Sequence, residues 1–182
     1  MDVRMIMQAA AFAAEAHAQQ KRKTGNVPYI NHLLRVADMA ARAGLNAESI
    51  AAAVLHDSVE DTWVTRQDLE ERFPPRVVEL VHLMTQWWDD HAPQDLKARE
   101  KPKYYAAILK DEDATNIKLL DRADNLNDMT RMLPTARSWA EKYLRRSFDE
   151  TGPLYEASRN EECRKIYQKA IEDLQAALAK KR

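Results

Sequence analysis

Apolar positions recur at helical spacing along nearly the whole chain, and no stretch shows the β-branched alternation of a half-buried strand. The spacing predicts a first helix from Asp2 to Gln20, with Val3, Met7, Ala10 and Ala14 on one face. The segment Lys21 to Pro28, with three basic residues and Gly25, breaks it. A second helix runs from Ile30 to about Ala43 and stops at Gly44, the residue type that caps helix ends. A third begins at Ala47, and its stripe of Ile50, Val54 and Leu55 runs into His56 and Asp57. Thr65 with Asp68 three residues on marks a helix start, and Phe73-Pro74-Pro75 its stop. Another helix covers about Arg76 to Met84, and a polar connection from Trp87 to Pro93 leads into one ending near Asp111. The next spans Asp113 to Met132, with Pro134 as its end. The last two cover about Ala136 to Phe148 and Asn160 to Lys181, separated by Gly152-Pro153. The expectation is one all-α domain over residues 1–182, with no repeat and no low-complexity tract.

Composition narrows the class. With 45% hydrophobic and 31% charged residues, the 182-residue chain reads as globular rather than disordered. Lys+Arg 28 against Asp+Glu 29 leaves a net charge of −1, without the basic excess of a nucleic-acid binder. The alanine-rich stretch Met5 to Ala18 imitates a secretory segment, but Gln8, Glu15 and His17 interrupt it and Asp2 offsets Arg4. No apolar run approaches the ~18 residues needed to cross a bilayer. A soluble, cytoplasmic protein with neither nucleic-acid nor membrane partners is therefore expected, and the pattern sets no oligomeric state. The single cysteine, Cys163, excludes an internal disulfide and any thiolate-rich zinc site. Three glycines are too few for a glycine-rich phosphate loop, so phosphates would have to be held by side chains and metal.

Three runs could carry chemistry. In Leu55-His56-Asp57-Ser58-Val59-Glu60-Asp61-Thr62, four ionisable groups crowd the end of an apolar helix. Three carboxylates there would repel one another and raise each other's pKa unless a cation neutralised them. An imidazole beside a carboxylate suits Mn²⁺, Fe²⁺ or Zn²⁺. In Lys118-Leu119-Leu120-Asp121-Arg122-Ala123-Asp124-Asn125-Leu126, residues Asp121, Asp124, Asn125 and Asp128 share a face, while Leu119, Ala123 and Leu126 point elsewhere. Such a stripe is ordinarily the solvated side of a helix. The third run, Lys21-Arg22-Lys23-Thr24-Gly25 followed by Pro28-Tyr29-Ile30-Asn31-His32, sets a cationic loop before a histidine at a helix start.

Taken in order, these runs resemble the HD-domain phosphohydrolases, and within them the hydrolase domain of the RelA/SpoT homologues, which cleave the alarmone (p)ppGpp. The resemblance covers roughly Ala9 to Met132, with C-terminal helices over about 136–182, and implies a stand-alone small alarmone hydrolase with a single HD-domain helical bundle. By resemblance the metal ligands would be His32, His56, Asp57 and Asp121, with Mn²⁺ as the usual ion. Glu60 and Asp61 match the pair that handles the attacking water and the leaving oxygen. Arg22 matches an arginine that stacks on the purine, Lys23 its basic neighbour near the phosphates, and Asn125 an asparagine lining the nucleoside pocket. Tyr29 is expected as packing beside His32. The implied reaction releases the 3′-pyrophosphate whole and returns a nucleoside 5′-di- or triphosphate.

The chain also departs from the family's pattern. Leu33 replaces the proline that usually follows the ligand histidine. The loop from Lys23 to Pro28 is one residue longer than in the bifunctional enzymes and shorter than in the metazoan ones. Ala123-Asp124-Asn125 stands where Leu-His/Tyr-Asn is usual, which adds a carboxylate and removes bulk. Asp124 is accordingly expected at a base edge, where it would bear on the choice between guanosine and adenosine substrates, (p)ppGpp and (p)ppApp. One rival reading is an HD phosphohydrolase of nucleoside 5′-monophosphates, which has no need of the Arg22-Lys23 loop or of Glu60 and Asp61. Another is a catalytically silent nucleotide sensor. His17, His82 and His91 are expected to be structural or surface residues, Trp87, Trp88, Tyr104 and Tyr105 core or interface, and Cys163 a packed small hydrophobe. The Lys180-Lys181-Arg182 tail reads as a solvated helix end.

Overall fold

The computed structural model describes residues 2–23, 25–88 and 91–180. Thr24 of the cationic loop, Asp89-Asp90 of the Trp87–Pro93 connection and Lys181-Arg182 of the tail lie outside them. Nine helices are described: α1 Val3–Ala16, α2 Ile30–Arg42, α3 Ala47–Leu55, α4 Ser58–Asp61, α5 Arg66–Glu70, α6 Pro75–Met84, α7 Gln94–Ile108, α8 Glu112–Ala157 and α9 Glu161–Ala179. The all-α expectation holds. The one β-type pairing among the described residues is an isolated antiparallel bridge between Lys21 and Pro28. No helix among them is long and apolar enough to cross a membrane.

Helix α3 lies at the centre. Every residue from Ser49 to Leu55 is buried, and a helix buried all round must be surrounded by others. Its small Ala51, Ala52 and Ala53 are fully inaccessible, which lets neighbouring backbones approach; α1, α2, α6 and α8 all pack on it. Local signals set its ends and those of its neighbours. Asn46 caps α3 by accepting from the Ser49 N–H, and Thr65 and Asp68 form a reciprocal capping box on α5. Gly44 follows α2 at φ +75°, the left-handed conformation that favours glycine. Helix α6 presents Val77, Leu80, Val81 and Met84 to the core. Leu80 is fully buried, so Leu80→Ala is expected to lower unfolding free energy by about 2–5 kcal/mol, read from the urea midpoint.

Two sequence expectations, on α1 and on Gly152-Pro153, are corrected, and a third holds as a kink. Helix α1 ends at Ala16, not Gln20, and buries Met5, Ala9, Phe12 and Ala13, whereas Val3 and Met7 are exposed. Alanine is apolar on every face, so the phase is decided by Phe12, whose ring meets Phe73 and Trp63 edge-on, both at 5.9 Å. The break expected at Pro134 is present as a kink: within the 46 residues of α8, Ala136 has non-helical angles (φ −138°, ψ 36°), and two helical arms meet there, as expected where proline removes a ladder bond. Gly152-Pro153, by contrast, does not separate two helices but lies inside α8, where packing on α9 holds that stretch helical. Thr151 is hydrogen-bonded to the Tyr167 hydroxyl of α9 at 2.9 Å, and Leu154 is buried beside it. Cys163 on α9 is buried as expected, and burial pushes its thiol up to about 12.

Candidate metal centre and the cavity above it

Four elements converge on one point. His32 sits in the first turn of α2, His56 at the C-terminus of α3, Asp57 in the turn before α4, and Asp121 on α8. His56 Nε2 lies 3.1 Å from Asp57 Oδ2 and 3.7 Å from Asp121 Oδ1. His32 Nε2 lies 3.3 Å from Asp121 Oδ1 and 3.7 Å from Asp57 Oδ2. Ligand atoms of His32, His56 and Asp57 fall within 4.8 Å of one another, close enough to share one ion.

The tautomers follow from the far side of each ring. His56 Nδ1 is 2.8 Å from the Ala53 carbonyl, which can only accept, so the proton sits on Nδ1 and the Nε2 lone pair faces inward. His32 Nδ1 is 2.7 Å from Asp124 Oδ2, with the same result. Both Nε2 atoms are buried with no hydrogen-bond partner. Orphaned buried nitrogens are rare and require a reason. Two imidazole lone pairs facing two carboxylates are a donor set for a dication.

Electrostatics agree. Burial opposes protonation of His56, but the neighbouring carboxylates of Asp57 and then Asp121 raise its pKa well above the ordinary value. His32 is raised likewise, with the nearby carboxylates of Asp121 and Asp124 overcoming burial. Asp57 and Asp121 are held below the carboxylate range despite burial, Asp57 by His56 and Asp121 chiefly by Lys118. The point therefore attracts positive charge, whether proton or cation. Tyr29, expected as packing, donates its hydroxyl to Asp57 Oδ2 at 2.7 Å and also stacks on the buried His17. Lys118, to which the sequence pattern assigns no role, is buried with Nζ 2.9 Å from Asp121 Oδ2. Its signal was the i, i+3 spacing to Asp121.

Above this point opens a cavity of about 300 Å³. Lys21, Arg22, Lys23, Lys101 and Arg146 are among the residues that line it. The loop is shaped by the Arg22 N–H donating to the Val27 carbonyl at 2.9 Å, with Gly25 at φ +121° in a region closed to most side chains. Arg22 lies over the Tyr29 ring at 5.2 Å, pairs with Asp128 at 3.0 Å and donates to Asn125 Oδ1 at 2.6 Å. Asn125 in turn donates to Asp121 Oδ1 at 2.6 Å, which ties the loop to the floor. Glu60 and Asp61 face the same space. Glu60 accepts from the Gln86 N–H at 2.7 Å, and Asp61 from Gln20 Nε2 at 2.9 Å. Although Glu60 opens on the cavity, surrounding protein and then the charge of Asp57 push its pKa up to about 7.

Asp124 is not at a base edge. It is 2% exposed, and both its oxygens are taken by Arg35 and His32. The polar stripe of α8 is not a solvated side either: Asp121, Asp124 and Asp128 are all buried. The second arm of α8 adds wall residues that local sequence did not flag, namely Trp139, Tyr143 and Glu150. Glu150 gathers Lys101 and Arg122, each at 2.7 Å, and Arg146 at 3.2 Å, and is held down to about 2 against the effect of burial.

Comparison with known proteins places this arrangement. The HD domain family pattern matches residues 9–149. A guanosine-3′,5′-bis(diphosphate) 3′-pyrophosphohydrolase of Aquifex aeolicus is 40% identical over 124 residues, covering 68% of this chain but only 18% of that longer protein. The enzyme of the same description from Xenopus tropicalis, MESH1, is 35% identical over 150 residues, covering 81% of this chain and 80% of its own length. Among solved structures, a metazoan ortholog of SpoT that hydrolyses ppGpp superposes with a TM-score of 0.75 at 25% identity, over 94% of this chain and 96% of that one.

Proposed function

Since the chain belongs to the HD-domain family, we propose that it is a metal-dependent 3′-pyrophosphohydrolase of alarmone nucleotides, with (p)ppGpp, (p)ppApp or both as substrate and Mn²⁺ as the ion. The observation that carries this reading is the pair of orphaned Nε2 atoms facing two carboxylates at the floor of a cation-lined cavity. Relatives of similar length named for this activity support it.

His32, His56, Asp57 and Asp121 would hold the ion, two neutral and two anionic donors balancing a dication. A divalent ion there supplies polarisation of a phosphoryl oxygen and acidification of a water. Water adds to the phosphorus of the 3′-ester, the bond from phosphorus to the 3′-oxygen breaks, and pyrophosphate leaves. Glu60 and Asp61 handle the protons, from the attacking water and to the leaving oxygen. Lys21, Arg22 and Lys23 meet the substrate's negative charge, and Arg22 and Asn125 border the space for its nucleoside. Incubation with (p)ppGpp, (p)ppApp and plain nucleotides in Mn²⁺, with products resolved by chromatography, is expected to yield pyrophosphate from one or both alarmones and from no plain nucleotide. No release from either alarmone would refute the reading.

A pH dependence follows. Glu60 acting as proton acceptor must be ionised, so kcat/KM is lost as pH falls through its pKa. Its value of about 7 reflects, after burial, the charge of Asp57, part of which a bound cation cancels. The acid limb should therefore centre between the ordinary 4.5 and about 7. It should be absent from the pH–rate profile of Glu60→Gln.

A further inference from the structure

Behind the floor lies a buried carboxylate that the proposed reaction does not use. Asp124 Oδ2 accepts from His32 Nδ1 at 2.7 Å and from the terminal Nη2 of Arg35 at 2.8 Å. Its Oδ1 accepts from Arg35 Nε at 2.6 Å. Arg35 thus grips the carboxylate bidentately and leaves one edge for the imidazole. Residues three apart on α2 thus both hold one residue of α8. The other imidazole is supported differently. His56 Nδ1 meets only the neutral Ala53 carbonyl, so just one of the two inward-facing rings is backed by a charge.

We propose that Asp124, clamped by Arg35, is a positioning residue that fixes the tautomer, ring orientation and donor strength of His32 toward a divalent cation. The proposal rests on His32 being a metal ligand. A carboxylate behind an imidazole orients the ring and makes its opposite nitrogen a stronger donor, and loss of such a partner typically lowers metal affinity by 10–100-fold. A plain ion pair joining α2 to α8 would have a different consequence: its removal would lower stability and leave metal binding alone.

The test is calorimetric titration of Mn²⁺ into the metal-free full chain, with Co²⁺ absorption spectra reporting ligand geometry and melting temperatures recorded in parallel. Asp124→Asn keeps an acceptor for His32 but removes the charge. It should bind Mn²⁺ roughly 10–100-fold more weakly and shift the Co²⁺ bands. Arg35→Met, which frees Asp124 from its clamp, should move affinity and spectrum in the same direction by less, and it decides the matter if Asp124→Asn does not fold. Unchanged affinity and spectra in these variants, with only their melting temperatures lowered, would make the pair a structural tie and overturn the proposal. A wild-type chain that takes up neither ion would remove the ligand assignment itself, and the positioning role with it.

Discussion

An Asp57→Ala protein is expected to purify without metal and without turnover. Asp57 Oδ2 is the carboxylate oxygen nearest to His56 Nε2, at 3.1 Å, and it also faces His32 Nε2 at 3.7 Å. Removing it leaves Asp121 as the one anion between two buried imidazoles. That anion is already shared with Lys118 and Asn125. A dication would then be under-neutralised in a buried position, which is strongly unfavourable. The Tyr29 hydroxyl would lose its acceptor as well. Elemental analysis of the purified variant and a turnover assay read the result together. Circular dichroism with the helix content of the wild-type chain checks that the variant is folded. An Asp57→Ala protein that keeps stoichiometric metal and normal turnover would refute the proposed centre.

Glu60→Gln should separate chemistry from binding. The amide has nearly the same shape and can still accept from the Gln86 N–H, so the wall of the cavity is preserved. What it cannot do is exchange a proton near neutrality. Turnover is expected to fall by about 10²–10⁴, the usual worth of a general acid–base group, with metal content and KM little changed. Glu60 lies outside the His32, His56 and Asp57 cluster that can share an ion. Loss of metal in this variant would instead make Glu60 a ligand.

What was legible in the sequence was local. His56 and Asp57 are neighbours, Glu60 lies one turn on, and the Thr65–Asp68 capping box and the Gly44 stop are written within three or four residues. What was not legible depends on partners far along the chain. The burial face of α1 is set by Phe73 and Trp63 meeting Phe12. Arg22 is held by Asp128, 106 positions away. A polar stripe such as that of α8 has the same spacing whether it faces water or a charged floor, so only tertiary packing tells which. Asp124 shows the same limit: one residue from Asn125 on the cavity wall, it is rotated about a quarter-turn behind it, into the grip of Arg35.

The bend at Ala136 has a mechanical consequence. Two helical arms joined directly at that kink supply Asp121 to the floor of the cavity and, past the bend, Trp139, Tyr143, Arg146 and Glu150 to its wall. With no loop between them to absorb displacement, the gap between floor and wall is set by an angle. That angle is braced from outside by α9, through contacts such as Thr151 with Tyr167. Substitutions along the seam of α8 and α9, remote from any phosphate, would therefore widen or narrow the mouth as a lever does, changing which nucleotides fit while the chemical groups stay where they are.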